Sequence, residues 1–321
     1  MAAVCYRSRV PAVSVLVPCF RSEPFLARAL GSLLAQTLSD WEAVVVDNAS
    51  DDGTWDVALA WAARDPRIRA HRNDHNLGPV GNWRRCAELA TAPLSALLFS
   101  DDWYRPEFLA EATPLLADPG VGFAWSPVRI TEDPAREDGP VSYGLEGPPV
   151  RPSADFLRAE LRAPGRSVPV SPGCSLFRTD ELRRWLAFPF PDEERYRWSE
   201  HGAGPDLSTY LQACLDHPRV ARLAGPRVTF LWHASNLTRR PEVQRAYAVA
   251  AALFFERADA AARLGDRARA RLAAQLEAAG EAERARQLAG RLSAIGRVLL
   301  WNERRLARRK ARRVDAAGEA S

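Results

Sequence analysis

Several acidic groups stand where an apolar run gives way to polar residues. Asp101-Asp102 follows Leu94 to Phe99 and precedes Trp103-Tyr104-Arg105-Pro106. Two adjacent carboxylates at a strand end are hard oxygen ligands suited to Mg²⁺ or Mn²⁺. An ion there can clamp a diphosphate and stabilise a leaving group. The same pair can instead cap the helix that follows. Asp47 closes the run Ala43 to Val46 and heads Asp47-Asn48-Ala49-Ser50-Asp51-Asp52-Gly53, whose carboxylate and amide groups can read a base or ribose. Within it, Asp51, Asp52 and Gly53 read better as turn chemistry. Asp206, in Gly202-Ala203-Gly204-Pro205-Asp206 ahead of an amphipathic helix, is a candidate general base for a substrate hydroxyl. It is also what a helix N-terminal carboxylate looks like. His233 ends the apolar run Val228 to Trp232, and a lone histidine there reads first as structural.

The elements that must position these groups alternate. Val13 to Val17, Ala43 to Val46, Ile68 to Ala70, Leu94 to Phe99 and Val121 to Trp125 read as strands. Pro24 to Leu38, Trp55 to Ala63, Pro79 to Ala90 and Pro106 to Leu116 read as helices between them. Such alternation predicts crossovers and a mostly parallel, buried sheet, with ligands beyond the carboxyl ends of its strands. Thr131 to Ser171 is rich in Pro, Gly and charge, Glu132, Asp133, Glu137 and Asp138 included. It reads as a long loop holding a short helix near Asp155 to Leu161. A strand at Cys174 to Phe177, helices at Thr179 to Leu186 and Pro205 to Cys214, and the run Val228 to Trp232 follow. From Pro241 onward two or three amphipathic helices are expected, either packed on the rest of the chain or forming a dimer interface. They end in the basic run Arg304 to Arg313 beside Val298, Leu299, Trp301 and Leu306.

Composition narrows the class. Among 321 residues 47% are hydrophobic and 26% charged, enough apolar material for a sizeable core. Forty-four Lys and Arg against 40 Asp and Glu leave a net charge of +4, too small to imply nucleic acid. Lys310 is the only lysine. Five scattered cysteines (Cys5, Cys19, Cys86, Cys174 and Cys214) without a CxxC pair argue against a disulfide scaffold or zinc site and fit a reducing, cytoplasmic compartment. Met1 to Arg9 has no apolar h-region, and no run of about 20 apolar residues exists, so neither a secretory signal nor a spanning helix is expected.

Taken together and in order, the chain resembles the family 2 glycosyltransferases, nucleotide-sugar-dependent enzymes of the GT-A fold. Val13 to Phe20 resembles the family's opening strand, and Leu33 to Glu42 its first helix and the approach to strand two. Val46 to Thr54 is similar to its nucleotide-binding turn, Asn76-Leu77-Gly78 with Asn82 to its next signature, and Ser100 to Pro106 to its metal motif. Cys174 to Arg178, Gly204-Pro205-Asp206 and Trp232 to Thr238 are similar to its acceptor-side strand, base motif and closing motif. The resemblance implies an α/β fold: a GT-A, Rossmann-like, mostly parallel sheet flanked by helices, with a C-terminal helical extension. Residues 1–240 would form the glycosyltransferase domain, with a nucleotide-binding half at 12–130 and an acceptor-binding half at 131–240. Residues 241–321 would form the extension and its basic tail.

The resemblance also implies roles. Asp47 would contact the nucleobase, with Pro18 and Glu23 nearby and Asn48 and Asn76 in the same donor site. Asp101 would approach the donor ribose, and Asp102 would hold Mg²⁺ or Mn²⁺ on the diphosphate with help from His233. Asp206 would take the acceptor proton in one inverting displacement. Tyr196 and Trp198 either line the acceptor cleft or pack in the core. Trp103 is ambiguous in the same way. The donor would be a nucleotide-diphosphate sugar, and the acceptor a sugar, a lipid-linked compound or a small molecule. Four positions depart from the family pattern: Arg21 stands where Asn is common, Asn48 for a second Asp, Ser100 for an acid, and Pro205 for an acid before Asp206. Two other readings compete, a polyprenyl-phosphate sugar synthase whose basic tail rests on the membrane and a GT-A-like module that binds nucleotide without turnover.

Overall fold

A computed structural model describes residues 10–136, 138–162, 165–190, 192–257 and 260–318. The expectations about Met1 to Arg9, Cys5 and Glu137 lie outside the described residues, as do the basic side chains beyond Ala307. Strands β1 (Val13–Cys19), β2 (Trp41–Asp47), β3 (Ile68–Arg72) and β4 (Leu94–Leu97) alternate with helices α1 (Glu23–Leu34), α2 (Thr54–Arg64) and α3 (Gly78–Leu89). Every residue of β1 and β2 is buried, as expected of central parallel strands covered on both faces. Glu42 ties them at their start: its carboxylate accepts Ser14 Oγ at 2.6 Å and the Thr91 N–H at 2.7 Å and pairs with Arg69.

The chain continues through β5 (Trp103–Tyr104), α4 (Phe108–Ala112), β6 (Val121–Trp125), β7 (Val128–Thr131), β8 (Val141–Ser142), β9 (Val150–Pro152), α5 (Ser153–Arg162) and β10 (Ser175–Arg178). It then runs through α6 (Thr179–Leu186), α7 (Glu193–Tyr196), α8 (Trp198–His201), α9 (Pro205–Asp216), β11 (Arg219–Arg222) and β12 (Val228–Leu231). Eight strands form one sheet in the order β3-β2-β1-β4-β10-β6-β11-β9, and β5-β12-β7-β8 form a second. The first sheet is mostly parallel, as expected: six of its eight strands run one way, and β10 and β9 are reversed. β3, β2, β1 and β4 run parallel, but β10 is antiparallel to both β4 and β6. The expected helix Pro106 to Leu116 is interrupted, because Pro114 has no N–H for the α ladder and the chain tightens into a 3-10 turn at Thr113–Ala117. The expected long loop starts at the last residue of β7 and carries β8 and β9, strands of two and three residues. Beneath the sheet, Phe123, Phe156, Phe177 and Tyr210 form a ring cluster, with the Phe123 and Tyr210 centroids 4.9 Å apart.

The extension folds as four helices among the described residues: α10 (Pro241–Arg257), α11 (Ala260–Ala278), α12 (Ala282–Gly290) and α13 (Ala294–Gly318). α10 and α11 pack on the chain itself. Val243, Ala246, Val249, Ala250 and Leu253 of α10 bury against Trp198 and Ala203. Gln275 of α11 donates to the Leu161 carbonyl at 3.3 Å.

Candidate active site

A cavity of about 1090 Å³ opens where β1 and β4 end and the segment after β12 crosses over them. Its size suits a nucleotide-sized ligand plus a second substrate. Pro18, Asn48, Asn76, Asp101, Asp102, Asp206 and His233 line it. Residues from both halves of the chain therefore meet in one cleft.

The donor-side wall is a ladder of amides. Asn48 Nδ2 donates to Asn76 Oδ1 at 2.8 Å and to the Gly78 carbonyl at 3.2 Å. Asn48 Oδ1 accepts Asn73 Nδ2 and the Leu77 N–H, both at 2.9 Å. Asn82 Nδ2 closes the ladder on the Val46 carbonyl at 3.0 Å. The loop facing it is strained, with Arg21 at φ 51° and Ala49 at φ 58°. The Arg21 N–H fixes it by donating to Ser50 Oγ at 2.9 Å.

Two expected donor contacts do not reach the cavity. Asp47 is wholly buried: its Oδ1 accepts Ser50 Oγ at 2.5 Å, and its Oδ2 lies 3.1 Å from Arg72 Nε. Successive strand residues point to opposite faces, so Asp47 turns inward while Asn48 turns to the cleft. Asp47 shapes the turn from behind. Glu23 is exposed, and its Oε2 accepts the Gly53 N–H at 3.0 Å, clamping the same turn from outside.

Asp101 Oδ2 accepts His233 Nε2 and Asn236 Nδ2, each at 3.0 Å. With Nε2 protonated, Nδ1 accepts from Ser235 Oγ at 2.8 Å, and Phe25 stacks on the imidazole at 4.5 Å. Asp102 is buried, and its Oδ1 accepts the Leu231 N–H at 3.0 Å. Burial, and then the neighbouring Asp101 charge, push its carboxyl well above the usual range. No donor among the described residues reaches Asp102 Oδ2, so its charge is offset by one peptide group alone.

Asp206 sits in the first turn of α9 and is 3% exposed. The preceding Gly204 has φ +136°, and a Cβ there would lie 2.9 Å from the Trp198 ring, so glycine is required to aim the helix start. Asp206 Oδ1 accepts the Gly204 N–H at 2.8 Å and the Leu207 N–H at 2.6 Å. Oδ2 accepts the Tyr247 hydroxyl at 2.5 Å. Burial raises the carboxyl to about 7 although all three bonds favour the ionised form. A buried carboxylate titrating near neutrality beside a cavity is suited to general-base work.

The aromatic expectations resolve against the cleft. Trp198 is wholly buried between Phe190, Tyr196 and α10, and neither it nor Tyr196 lines the cavity. Trp103 is likewise buried, with the Arg28 guanidinium 5.0 Å from its ring centroid. Tyr247, Asn73 and Asn236 are site residues that the sequence reading did not single out. Asn236 lies in the quoted closing motif, whereas Tyr247 had no motif to mark it.

The fold and cleft together define the class. The S. aureus TarS fragment 1–349 in complex with UDP-GlcNAc superposes with a TM-score of 0.61 at 19% identity, over 91% of this chain and 79% of that one. Mannosyltransferase PcManGT of Pyrobaculum calidifontis, in complex with GDP-Man and Mn²⁺, gives 0.56 at 21% identity, over 98% and 85%. The chain has the GT-A fold. The family described as "Glycosyl transferase family 2" matches residues 14–185, and the chain belongs to it. Among curated relatives, the putative glycosyltransferase EpsH of Bacillus subtilis is 34% identical over 99 residues, 30% of this chain and 28% of that protein. The UDP-Glc:alpha-D-GlcNAc-diphosphoundecaprenol beta-1,3-glucosyltransferase WfgD of Escherichia coli is 31% identical over 90 residues, 28% and 35%. These alignments therefore span well under half of either relative.

Proposed function

We propose that the protein transfers a sugar from a nucleoside-diphosphate donor to an acceptor hydroxyl with inversion at the anomeric carbon. The observation that carries this reading is the meeting of Asp101, Asp102, His233 and Asp206 around one cavity. Asp206 Oδ2 takes the acceptor proton as the acceptor oxygen bonds to the anomeric carbon. The bond from that carbon to the diphosphate oxygen breaks, and its electron pair leaves with the diphosphate. One displacement needs one base and a stabilised leaving group, and inversion follows. The amide ladder from Asn48 to Asn76 lines the base and ribose side, with Pro18 at its edge.

The donor set fits a divalent cation. Asp102 lines the cavity with an oxygen that no donor among the described residues reaches, and Asp101 and His233 flank it. Asp102, with Asp101 beside it, would hold Mg²⁺ or Mn²⁺, which when bound offsets the diphosphate charge, and His233, both of whose nitrogens are engaged by Asp101 and Ser235, would act through Asp101. Among the described residues no group of three or more His, Cys, Asp or Glu side chains is placed to hold a metal ion, so phosphate oxygens and water would fill most of its positions. The test is a screen of nucleotide sugars for transfer and donor hydrolysis with Mn²⁺, with Mg²⁺ and with chelator. Loss of turnover in Asp102→Ala and in chelator supports the reading. Turnover that survives both contradicts the cation's role.

The proposal extends to location: a cytoplasmic protein resting on an anionic membrane face, with a lipid-linked acceptor. Ile295, Val298, Trp301 and Leu306 of α13 are 57% to 73% exposed, and the sequence that follows is rich in arginine. No described helix is long and apolar enough to cross a membrane. An apolar strip flanked by arginine suits an anionic leaflet. Sedimentation with phosphatidylglycerol-containing vesicles, but not with pure phosphatidylcholine, is expected. Replacing Ile295, Val298 and Trp301 by Ser should abolish it. Equal recovery with both vesicle types, or none with either, contradicts the location.

A further inference from the structure

We propose that Tyr247, on the first helix of the C-terminal extension, is a positioning residue for Asp206, so that the extension completes the catalytic site as well as packing beside it. This rests on reading Asp206 as the base. Tyr247 lies beyond the matched family segment, which ends at residue 185, and is the only tyrosine after Pro241. Its hydroxyl donates to Asp206 Oδ2 over 2.5 Å, and the residue lines the same cavity.

A carboxylate offers about four lone-pair sites. Gly204 and Leu207 occupy two on Oδ1, and Tyr247 takes one on Oδ2. One direction on Oδ2 remains for an acceptor hydroxyl. The two peptide groups belong to α9 and the glycine that leads into it, whereas Tyr247 comes from a separate helix, seated by Val243, Ala246 and Ala250 against Trp198 and Ala203. Among the described residues no other side chain donates to Asp206. A phenylalanine would fill the same space, so the hydroxyl is what the packing does not require.

The neighbours of Asp206 bear on its proton affinity. Glu160 of α5 is fully buried, and Tyr143, from the segment before β9, is buried with it. Both feel the Asp206 charge, as Tyr247 does. Arg184 and Trp185 of α6 meet α9 at Asp216, at its far end. The thiol of Cys174 faces Tyr210, on the same helix as Asp206. None of these supplies a cation to Asp206, so among the described residues the Tyr247 hydroxyl is the one side-chain donor that favours its ionised form. Deleting it makes the carboxylate a stronger proton acceptor and leaves it less well aimed.

The experiment compares Tyr247→Phe, Val243→Ala and Asp206→Asn in the full chain, with pH profiles of kcat. Tyr247→Phe is expected to lower kcat roughly tenfold and to leave donor KM unchanged. The acidic limb of its profile should move up by about one pH unit. Val243→Ala thins the same helix contact without touching the hydroxyl and should leave the limb in place. A wild-type kcat and limb in Tyr247→Phe, or an equal displacement in Val243→Ala, overturns the positioning role. Full activity in Asp206→Asn sinks instead the assignment of the base, and the positioning role with it.

Discussion

His233 Nε2 lies 3.0 Å from Asp101 Oδ2, although 132 residues separate them in the chain. The contact joins the end of β12 to the segment after β4, and Asn236 donates to the same oxygen. It turns Asp101 toward the cavity while Asp102 is held by Leu231. The closing motif therefore orders the acidic motif.

Replacing His233 with Ala should loosen that corner without unfolding the protein, because the imidazole is partly exposed. The expected loss is about tenfold in affinity for a nucleoside diphosphate with Mn²⁺, the scale of one hydrogen bond to a charged group. Calorimetric titration checks it. Unchanged affinity would mean that the contact orders nothing.

Asn48→Asp tests the amide ladder. Asn48 donates to two acceptors, Asn76 Oδ1 and the Gly78 carbonyl, and a carboxylate would face both with no proton to offer. Stability should fall by about 1–3 kcal/mol, read as a lower denaturation midpoint at neutral pH, with weaker donor binding beside it.

Gly204→Ala should be the costlier change at the base. Its φ of +136° and the Trp198 and Phe190 rings both resist a Cβ. A stability loss of about 1–3 kcal/mol should accompany a fall in kcat, because the N–H of residue 204 and the turn of α9 aim Asp206. A variant with wild-type midpoint and rate would contradict this geometry.

Stability should depend on pH through buried acids whose proton affinity is raised, Glu160, Asp206 and Asp102. Burial lifts Glu160 from 4.5 and Asp206 from 3.8, each to about 7. A raised folded-state pKa means that the folded protein holds its protons more tightly. The contribution is complete below the ordinary values and fades as pH rises through about 7. Denaturation midpoints should therefore drop between pH 5 and pH 8. In Glu160→Gln, which removes one of these groups, the drop should shrink. A larger midpoint at pH 8 would contradict the sign.

The run from β1 to β4 was legible because buried β-branched strands and amphipathic helices carry strong periodicity. β5, β8 and β9 were not, since two or three residues cannot carry a period. The direction of β10 depends on how the chain returns after α5, a tertiary fact with no local signature. In the site, Asp101, Asp102, His233 and Asp206 stood out by their places at strand ends and helix starts, but for His233 and Asp206 place alone favoured a structural role and only the family resemblance suggested another. Asp47 was placed one residue out of phase: the last strand residue faces inward and Asn48 takes the cleft. Residue type alone left Trp198 open to either cleft or core, and α10 covers it. Tyr247 was invisible because its role exists only once α10 docks on α9.

The most direct test of the account is the rate of sugar transfer by Asp206→Asn, measured beside its affinity for the nucleotide donor. The amide keeps the shape of the side chain but cannot accept the acceptor proton. The account predicts a fall in kcat of roughly a thousandfold with donor binding intact. Transfer at the wild-type rate would contradict it.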